Sequence, residues 1–338
     1  MLLAGLVGHD AFQLGHVALP ALQLAASDDP SMRYAFMLPT ATAVATSCQL
    51  AGIGGAALFS PIFLLIFPLL GPEYPLASPA AAIASALLTE VFGFSSGLSG
   101  YSSRKLVDWP IALQFAACAV PASLAGALAA GQLAADPTTL RGVYSTLMLS
   151  LSIYLLFSPS AEQAAASDEC EVQTDDEGGD GAPVRPTIRK RDAQGREYEY
   201  RAPPKGSVGS TAVTAGGGFL TGLLGVGIGE VILPQLVRSG CCMPLPVAAG
   251  TSVATVVITA FTAAIVQFAA LAAATSGSLV SVVPWDLVRW TIPGVLIGGQ
   301  LAPLVASRGI FSDETIERFA AVLFAVVGTA FAVKALQG

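Results

Sequence analysis

Leu50-Ala51-Gly52-Ile53-Gly54-Gly55-Ala56-Ala57-Leu58-Phe59-Ser60-Pro61 is a hydrophobic helix broken by glycine, and the same break returns as Leu224-Gly225-Val226-Gly227-Ile228-Gly229-Glu230-Val231-Ile232-Leu233-Pro234. Gly52 aligns with Gly225, Gly54 with Gly227 and Pro61 with Pro234, all at one offset of 173. Glycine and proline weaken a helix, and in lipid each backbone polar group they free needs another partner. Matching breaks in two halves therefore predict half-helices lining a cavity enclosed by protein, the design by which secondary transporters hold small ions near the midplane.

The rest of the composition agrees. Of 338 residues, 54% are hydrophobic and only 12% charged, about half the charge of a typical soluble domain, and the mean hydropathy is +0.68. Charge is concentrated between Ser158 and Gly206, which holds seven of the sixteen Lys/Arg and eleven of the 23 Asp/Glu. The simple reading is an all-α polytopic membrane protein with two hydrophobic halves joined by one polar loop.

Segments of bilayer length need about 20 residues. Candidates run over 35–70 (broken at 52–55), 79–101, 110–132 and 139–157, then 208–238 (broken at 225–229), 246–275, 284–306 and 314–336. Four per half, they divide the chain into an N-terminal segment of undecided structure (1–34), a first repeat (35–157), a polar linker (158–206) and a second repeat (207–338). Other landmarks recur in the same order. Val120-Pro121-Ala122-Ser123-Leu124-Ala125-Gly126 matches Ile292-Pro293-Gly294-Val295-Leu296-Ile297-Gly298, and Val107-Asp108-Trp109 resembles Val283-Pro284-Trp285-Asp286 before each third segment. In the linker, 187–200 alternates around an Asp-x-x-Gly turn, which predicts a small hairpin within a solvated linker.

Counting Lys and Arg puts twelve on the linker's side and four on the other, whether the broken segments cross fully or re-enter. The linker is therefore expected in the cytoplasm, with the two paths left open. Re-entry would make the halves inverted repeats.

Residues that could carry chemistry gather at the breaks. Gly52, Gly54, Gly55, Gly225, Gly227 and Gly229 lack side chains, so backbone N–H groups can approach an anion directly. Pro61 and Pro234 mark the structural breaks. Small polar groups follow each break: Ser85, Thr89 and Glu90 in one half, Gln235, Thr251, Ser252, Thr255, Thr259 and Gln267 in the other. Thr251, Thr255 and Thr259 share one helical face, although each hydroxyl could equally bond back to its own helix. Glu230 and Glu90 are carboxyls at membrane depth, costly there and candidates for proton coupling. Cys48 lies just before the first break, as a small apolar side chain or a group near the cavity.

Other classes are disfavoured. A net charge of −7 leaves no basic face for nucleic acid. The only histidines, His9 and His16, and five irregularly spaced cysteines make no metal site and suggest no disulfide framework. Gly93-Phe94-Ser95-Ser96-Gly97 fits a nucleophile pattern, but no histidine base lies beyond residue 16 and no strand precedes it. No phosphate-binding G-x-x-x-x-G-K-[ST] occurs, so neither an enzyme nor an ATP-driven pump is expected and no cofactor is implied.

At the paired motif the chain resembles the TauE/SafE sulfite exporter family, which shows a G-x-G-G-G…P segment in each half, A-x-G-T-S on a following helix and V-D-W before the third. These map to Gly52–Pro61, Gly225–Pro234, Ala248-Ala249-Gly250-Thr251-Ser252, Val107-Asp108-Trp109 and Val283–Asp286, covering residues 35 to 336. Departures are Ala56 at the third glycine of the first motif, Glu230 where the family is small or apolar, and Ala81-Ala82 in place of Thr-Ser. The resemblance implies transport of a small anion, sulfite or an organosulfonate, across the cytoplasmic membrane, with the lipid bilayer and the anion as partners and a homo-oligomer left open. A passive anion channel and a membrane scaffold are the alternatives.

Overall fold

The computed structural model describes residues 32–51, 53–157, 187–203, 208–226, 228–238, 241–307 and 313–336. The expectations for residues 1–31, Gly52, Gly227 and most of the linker lie outside these. The described chain is helical apart from one two-stranded sheet. Its elements are α1 (Met37–Ala51), α2 (Ala56–Leu70), α3 (Pro79–Ser103), α4 (Trp109–Ala134), α5 (Pro137–Phe157), β1 (Thr187–Arg191), β2 (Glu197–Arg201), α6 (Val208–Leu224), α7 (Ile228–Arg238), α8 (Leu245–Ala274), the short α9 (Leu279–Val282), α10 (Trp285–Ser307) and α11 (Asp313–Leu336).

Local chemistry sets the ends. Ser78 Oγ accepts from Ala81 N at the start of α3 and Asp108 Oδ1 from Ile111 N at the start of α4, each with proline in the first turn. Within α2, Pro61 is followed by a π turn over Ile62–Ile66, a local widening of the kind that accompanies a missing backbone donor.

Each broken segment folds back on itself. In the first, Phe67 near the end of α2 packs on Tyr34 and Phe36 just before α1, with ring centroids 5.4 and 6.2 Å apart. Tyr34 OH donates to Tyr74 O at 2.8 Å and Arg33 Nη1 to Glu73 O at 3.1 Å. In the second, Ser210 Oγ donates to Gln235 Oε1 at 2.5 Å, and Gln235 Nε2 to Thr214 Oγ1 at 3.2 Å, closing α6 against α7. The chain thus forms two helical hairpins whose tips are the glycine breaks.

Around them the helices pair closely. On α10, Gly294 and Gly298 receive Thr42 and Thr46 of α1, whose hydroxyls donate to their carbonyls at 3.0 and 3.3 Å. On α6, a Cβ at Gly218 or Gly222 would stand 2.5 Å from Ala119 O or 1.9 Å from Ser123 O of α4. Backbones this close tolerate only glycine, the usual way membrane helices pack. The residue pairs advance together in both contacts, so α1 runs parallel to α10 and α4 to α6. Opposite directions hold elsewhere: Tyr144 of α5 stacks on Phe331 of α11 at 5.0 Å, while Ser152 Oγ donates to Ala321 O.

Large apolar side chains face outward, among them Leu113, Leu128, Phe261, Ile265, Val322 and Val326. Exposed apolar surface spread over several helices has lipid as its natural neighbour. Three described helices, α3, α4 and α8, are long and apolar enough to cross a bilayer.

Where the sequence predicts a solvated linker, strands β1 and β2 instead dock on the bundle. They pair antiparallel from Thr187↔Arg201 to Arg191↔Glu197. Tyr200 is buried and donates to Asp108 Oδ2 at 2.6 Å, Lys190 Nζ donates to Val107 O, and Arg201 N to Cys241 O. The sheet so ties the α3–α4 loop to the α7–α8 loop. The reason is the strand alternation itself, which turns Ile188, Tyr198 and Tyr200 onto one apolar face. Cys48, Cys118 and Cys241 are not disulfide-bonded, and Cys242 is, a cross-link that the cysteine spacing does not predict.

Candidate functional site

The two tips meet in the middle of the bundle. Gly225, at φ 82, turns the chain out of α6 in a left-handed conformation that favours glycine. A Cβ there would lie 3.1 Å from Ala56 Cβ, the first residue of α2. Across this contact Gly54 N donates to Glu230 Oε1 at 3.0 Å, a buried bond between residues 176 apart in sequence. Glu230 stands in the first turn of α7, next to Gly229.

A second carboxyl converges on the same glycine. Glu90 of α3, 2% exposed, brings Oε1 to 2.8 Å from the position of a Gly54 Cβ, where Glu230 Oε1 and Oε2 stand at 3.4 and 3.7 Å. Glu90 also lies against the backbone N–H groups of Gly55 and Ala56. The first tip's donors, at the positive end of the helix Ala56–Leu70, are therefore held against side-chain carboxyls from α3 and α7. Three buried polar atoms nearby have no hydrogen-bond partner among the described residues: Glu90 Oε2, Gln49 Oε1 one turn before the break, and Ser60 Oγ beside Gly225. Such groups in a native protein call for an explanation, commonly a water, an ion or a ligand.

The second tip is closed by its own chain. Thr221 Oγ1 accepts from Ile228 N at 2.9 Å, capping α7. Tyr144 OH donates to Leu224 O, the last carbonyl of α6.

Among the sequence-derived candidates, Gly54, Gly55, Gly225, Glu90 and Glu230 come together at the tips, with Gly229 beside Glu230. Thr89, adjacent to Glu90, reaches Thr291 of α10 at 3.3 Å, and both Thr89 and Ser85 bond back to carbonyls of α3. Thr251 lies elsewhere, at the joint with the α3–α4 loop, accepting from Asp108 N at 3.0 Å and donating to Val247 O. Thr259 bonds back to Thr255 O, and Thr255 to Ala112 O of α4. Ser252 is buried in α8, and Gln235 closes the open end of the second hairpin. Pro61 precedes the π turn and Pro234 sits inside α7. No group of three or more His, Cys, Asp or Glu among the described residues could hold a metal.

Four residues at the tips escaped the sequence reading: Gln49, Thr221, Tyr144 and Phe94, whose ring lies 3.4 Å from the position of a Gly55 Cβ. Gln49 carried a usable signal, an amide inside an apolar run. Thr221 carried another, at the 173 offset from Cys48. Tyr144 and Phe94 carried none, since nothing local distinguishes them from packing aromatics.

A family model described as "Sulfite exporter TauE/SafE" matches residues 37–331. No curated protein matches the chain, and no solved structure does.

Proposed function

The chain belongs to the sulfite exporter TauE/SafE family, a family of membrane transporters, and on that premise we propose that it is a proton-coupled secondary transporter. Its substrate is a small sulfur oxyanion, sulfite or an organosulfonate, moved across the cytoplasmic membrane. The anion binds between the two glycine tips, on backbone N–H groups, and Glu230 with Glu90 carries the proton.

The observation that carries this reading is the buried contact of Gly54 N with Glu230 Oε1, with Glu90 against the same glycine. At a common surface-like effective dielectric, two unit charges about 4 Å apart repel by roughly 4 kcal/mol. A shared proton relieves that repulsion, and a proton bound there is one that can be moved.

The same reading makes the chain two inverted repeats with re-entrant hairpins. Its support is the exchange of partners: the first hairpin packs on the third long helix of the second half (α1 on α10), and the second hairpin on that of the first half (α6 on α4). Helices α5 and α11, which occupy matching places in the two halves, run antiparallel. Under this arrangement the β-hairpin and the linker face the cytoplasm, on the side richer in Lys and Arg.

The deciding experiment is uptake of radiolabelled sulfite into proteoliposomes with and without an imposed pH gradient. Gradient-driven accumulation is expected, and Glu230→Gln should abolish it while the protein still purifies folded. Accumulation by the variant with unchanged pH dependence sinks the coupling role. Equilibration indifferent to the gradient makes the protein a channel.

A further inference from the structure

We propose that the cavity at the start of α3 is a mouth of the anion path to the glycine tips: Arg141 at its rim gathers a compact oxyanion, and Tyr144 is the gate between the mouth and the tips. This rests on the transport reading above and adds to it a route and the two side chains that govern it.

The cavity, of about 280 Å³, lies between α2, α3, α5 and α11, at the end of α3 opposite the β-hairpin. Phe63, Ala82, Leu140 and Phe331 form its inner wall, each at most 2% exposed. Among the described residues that line it, Arg141 alone is charged. Arg141 Nη1 donates to Lys334 O at 3.3 Å, a bond that occupies one of several guanidinium donors and leaves the charge in place. Asp136, the acid nearest along the chain, is turned onto the start of α5, where it accepts from Thr138 N and Thr139 Oγ1. A cation over an apolar hollow raises the local concentration of small anions.

Behind the inner wall stand the tips. Tyr144 is one turn beyond Leu140 and Arg141 on α5, fully buried, with its ring stacked on Phe331 at 5.0 Å. Its hydroxyl donates to Leu224 O, next to Gly225 of the second tip. On α2, Ser60 lies one turn from Phe63 and Leu64 toward the first tip, with Oγ 3.6 Å from the position of a Gly225 Cβ. That Oγ is buried and has no hydrogen-bond partner among the described residues, as a polar group on a path for polar cargo would. The Tyr144–Phe331 pair thus separates a cavity that carries a cation from polar groups at the tips.

Tyr144 has the chemistry of a latch. The last carbonyls of a helix have no partner within it, so Leu224 O needs a donor from outside. The phenol supplies that donor while the gate is shut, and water entering with the anion supplies it once the ring swings away. One neutral hydrogen bond and one ring stack are weak enough to be broken and remade in each cycle.

The test places a thiol behind the gate. Ser60→Cys in the purified full-length protein is treated with an anionic reagent, sulfonatoethyl methanethiosulfonate, and separately with its cationic trimethylammonium analogue. Labelling at position 60 is followed by peptide mass, and every variant is checked for folding by thermal melt. With Tyr144 in place the thiol should react slowly. Tyr144→Ala should raise the anionic rate about tenfold or more by removing ring and hydroxyl together. Tyr144→Phe keeps the ring and its packing, so it folds even where Ala does not, and should raise the rate about fivefold for the lost hydrogen bond. Arg141→Gln should slow the anionic reagent about threefold and leave the cationic one unslowed, and high salt should erase that difference. Arg141→Lys should restore the anionic rate, which a purely structural bond to Lys334 O would not allow.

Rates unchanged by both Tyr144 variants, equal slowing of the two reagents by Arg141→Gln, or no restoration by Arg141→Lys overturns the inference. Sulfite uptake by wild-type proteoliposomes is read apart from these rates. Labelling as expected without uptake would keep the gated entry and remove the transport reading, and uptake with unchanged labelling would do the reverse.

Discussion

The two helical hairpins meet tip to tip, yet different chemistry closes them. The first is held at its open end by aromatic packing of Tyr34, Phe36, Phe67 and Tyr74, and its tip donors face carboxyls from two other helices. The second is held at its open end by a polar chain from Ser210 through Gln235 to Thr214, and its tip is capped from within by Thr221. The second hairpin thus caps its α7 start with its own Thr221 and takes donors from Tyr144 and Gln267 on its last α6 carbonyls, whereas the first sets its donors against Glu90 and Glu230. On the function proposed above, two copies of one sequence motif divide into a support and a working end, because the acids sit against the donors of only one of them.

The comparison breaks most violently at the helix crossings that both hairpins share. Gly222→Leu would drive a side chain into Ser123 O, already 1.9 Å from a bare Cβ. No monodisperse protein is expected by size-exclusion chromatography. Gly298→Leu, at the matching crossing with Thr42 O 2.5 Å away, should fail in the same way.

At the tips the outcomes should diverge. Gly225→Ala forces a side chain into a left-handed conformation at φ 82, costing about 1–2 kcal/mol, visible as a lower melting temperature. Gly54→Ala has no such backbone conflict. Its Cβ would stand 2.8 Å from Glu90 Oε1, the mobile end of a side chain, so transport should be lost while stability changes little. If Gly54→Ala melts earlier than Gly225→Ala, the division into support and working end is wrong.

Thr221→Val tests the cap alone. It removes the acceptor of Ile228 N and should lower stability by about 1 kcal/mol. Cys48→Val, at the corresponding place in the first hairpin, removes no side-chain cap and should cost through altered packing only.

The smallest effect belongs to the β-hairpin, which supplies a contrast away from the glycine tips. Burial pushes the Asp192 carboxyl up, but the guanidinium and backbone N–H of Arg196, with the N–H of Gln194, outweigh it and hold the group below the usual carboxylate range. A depressed carboxyl stabilises fully above its unfolded value, and that contribution is lost as pH falls through the folded one. Amide protection factors across Thr187–Arg201, corrected for the intrinsic exchange rate at each pH, should therefore fall on acidification below the usual carboxylate range, and Asp192→Asn should show the lower protection at neutral pH already.

Much of this protein was legible in its sequence. The hydrophobic lengths placed the helices to within a few residues, as 79–101 and 110–132 became Pro79–Ser103 and Trp109–Ala134. Glycine and proline placed the breaks, since backbone freedom and a missing N–H act locally wherever they occur. The two glutamates stood out because a carboxyl in an apolar run is expensive regardless of its neighbours. The hydroxyls were harder: Thr251, at the i position of a three-threonine face, could line a cavity or glue a loop, and only its 3.0 Å contact with Asp108 N reveals the joint.

What the sequence by itself determined is the inventory: membrane helices, two broken segments, the glycines that bend them and the acids that need company. What only tertiary structure decided is the direction of the chain after each break and the company those acids keep. A glycine permits both a crossing and a return, and the choice is made by contacts far apart in sequence, Tyr34 with Tyr74 and Ser210 with Gln235. Glu90 and Glu230 are 140 residues apart in the chain, and no local pattern brings them to Gly54. Packing does, because it brings the two hairpin tips together and sets α3 beside them.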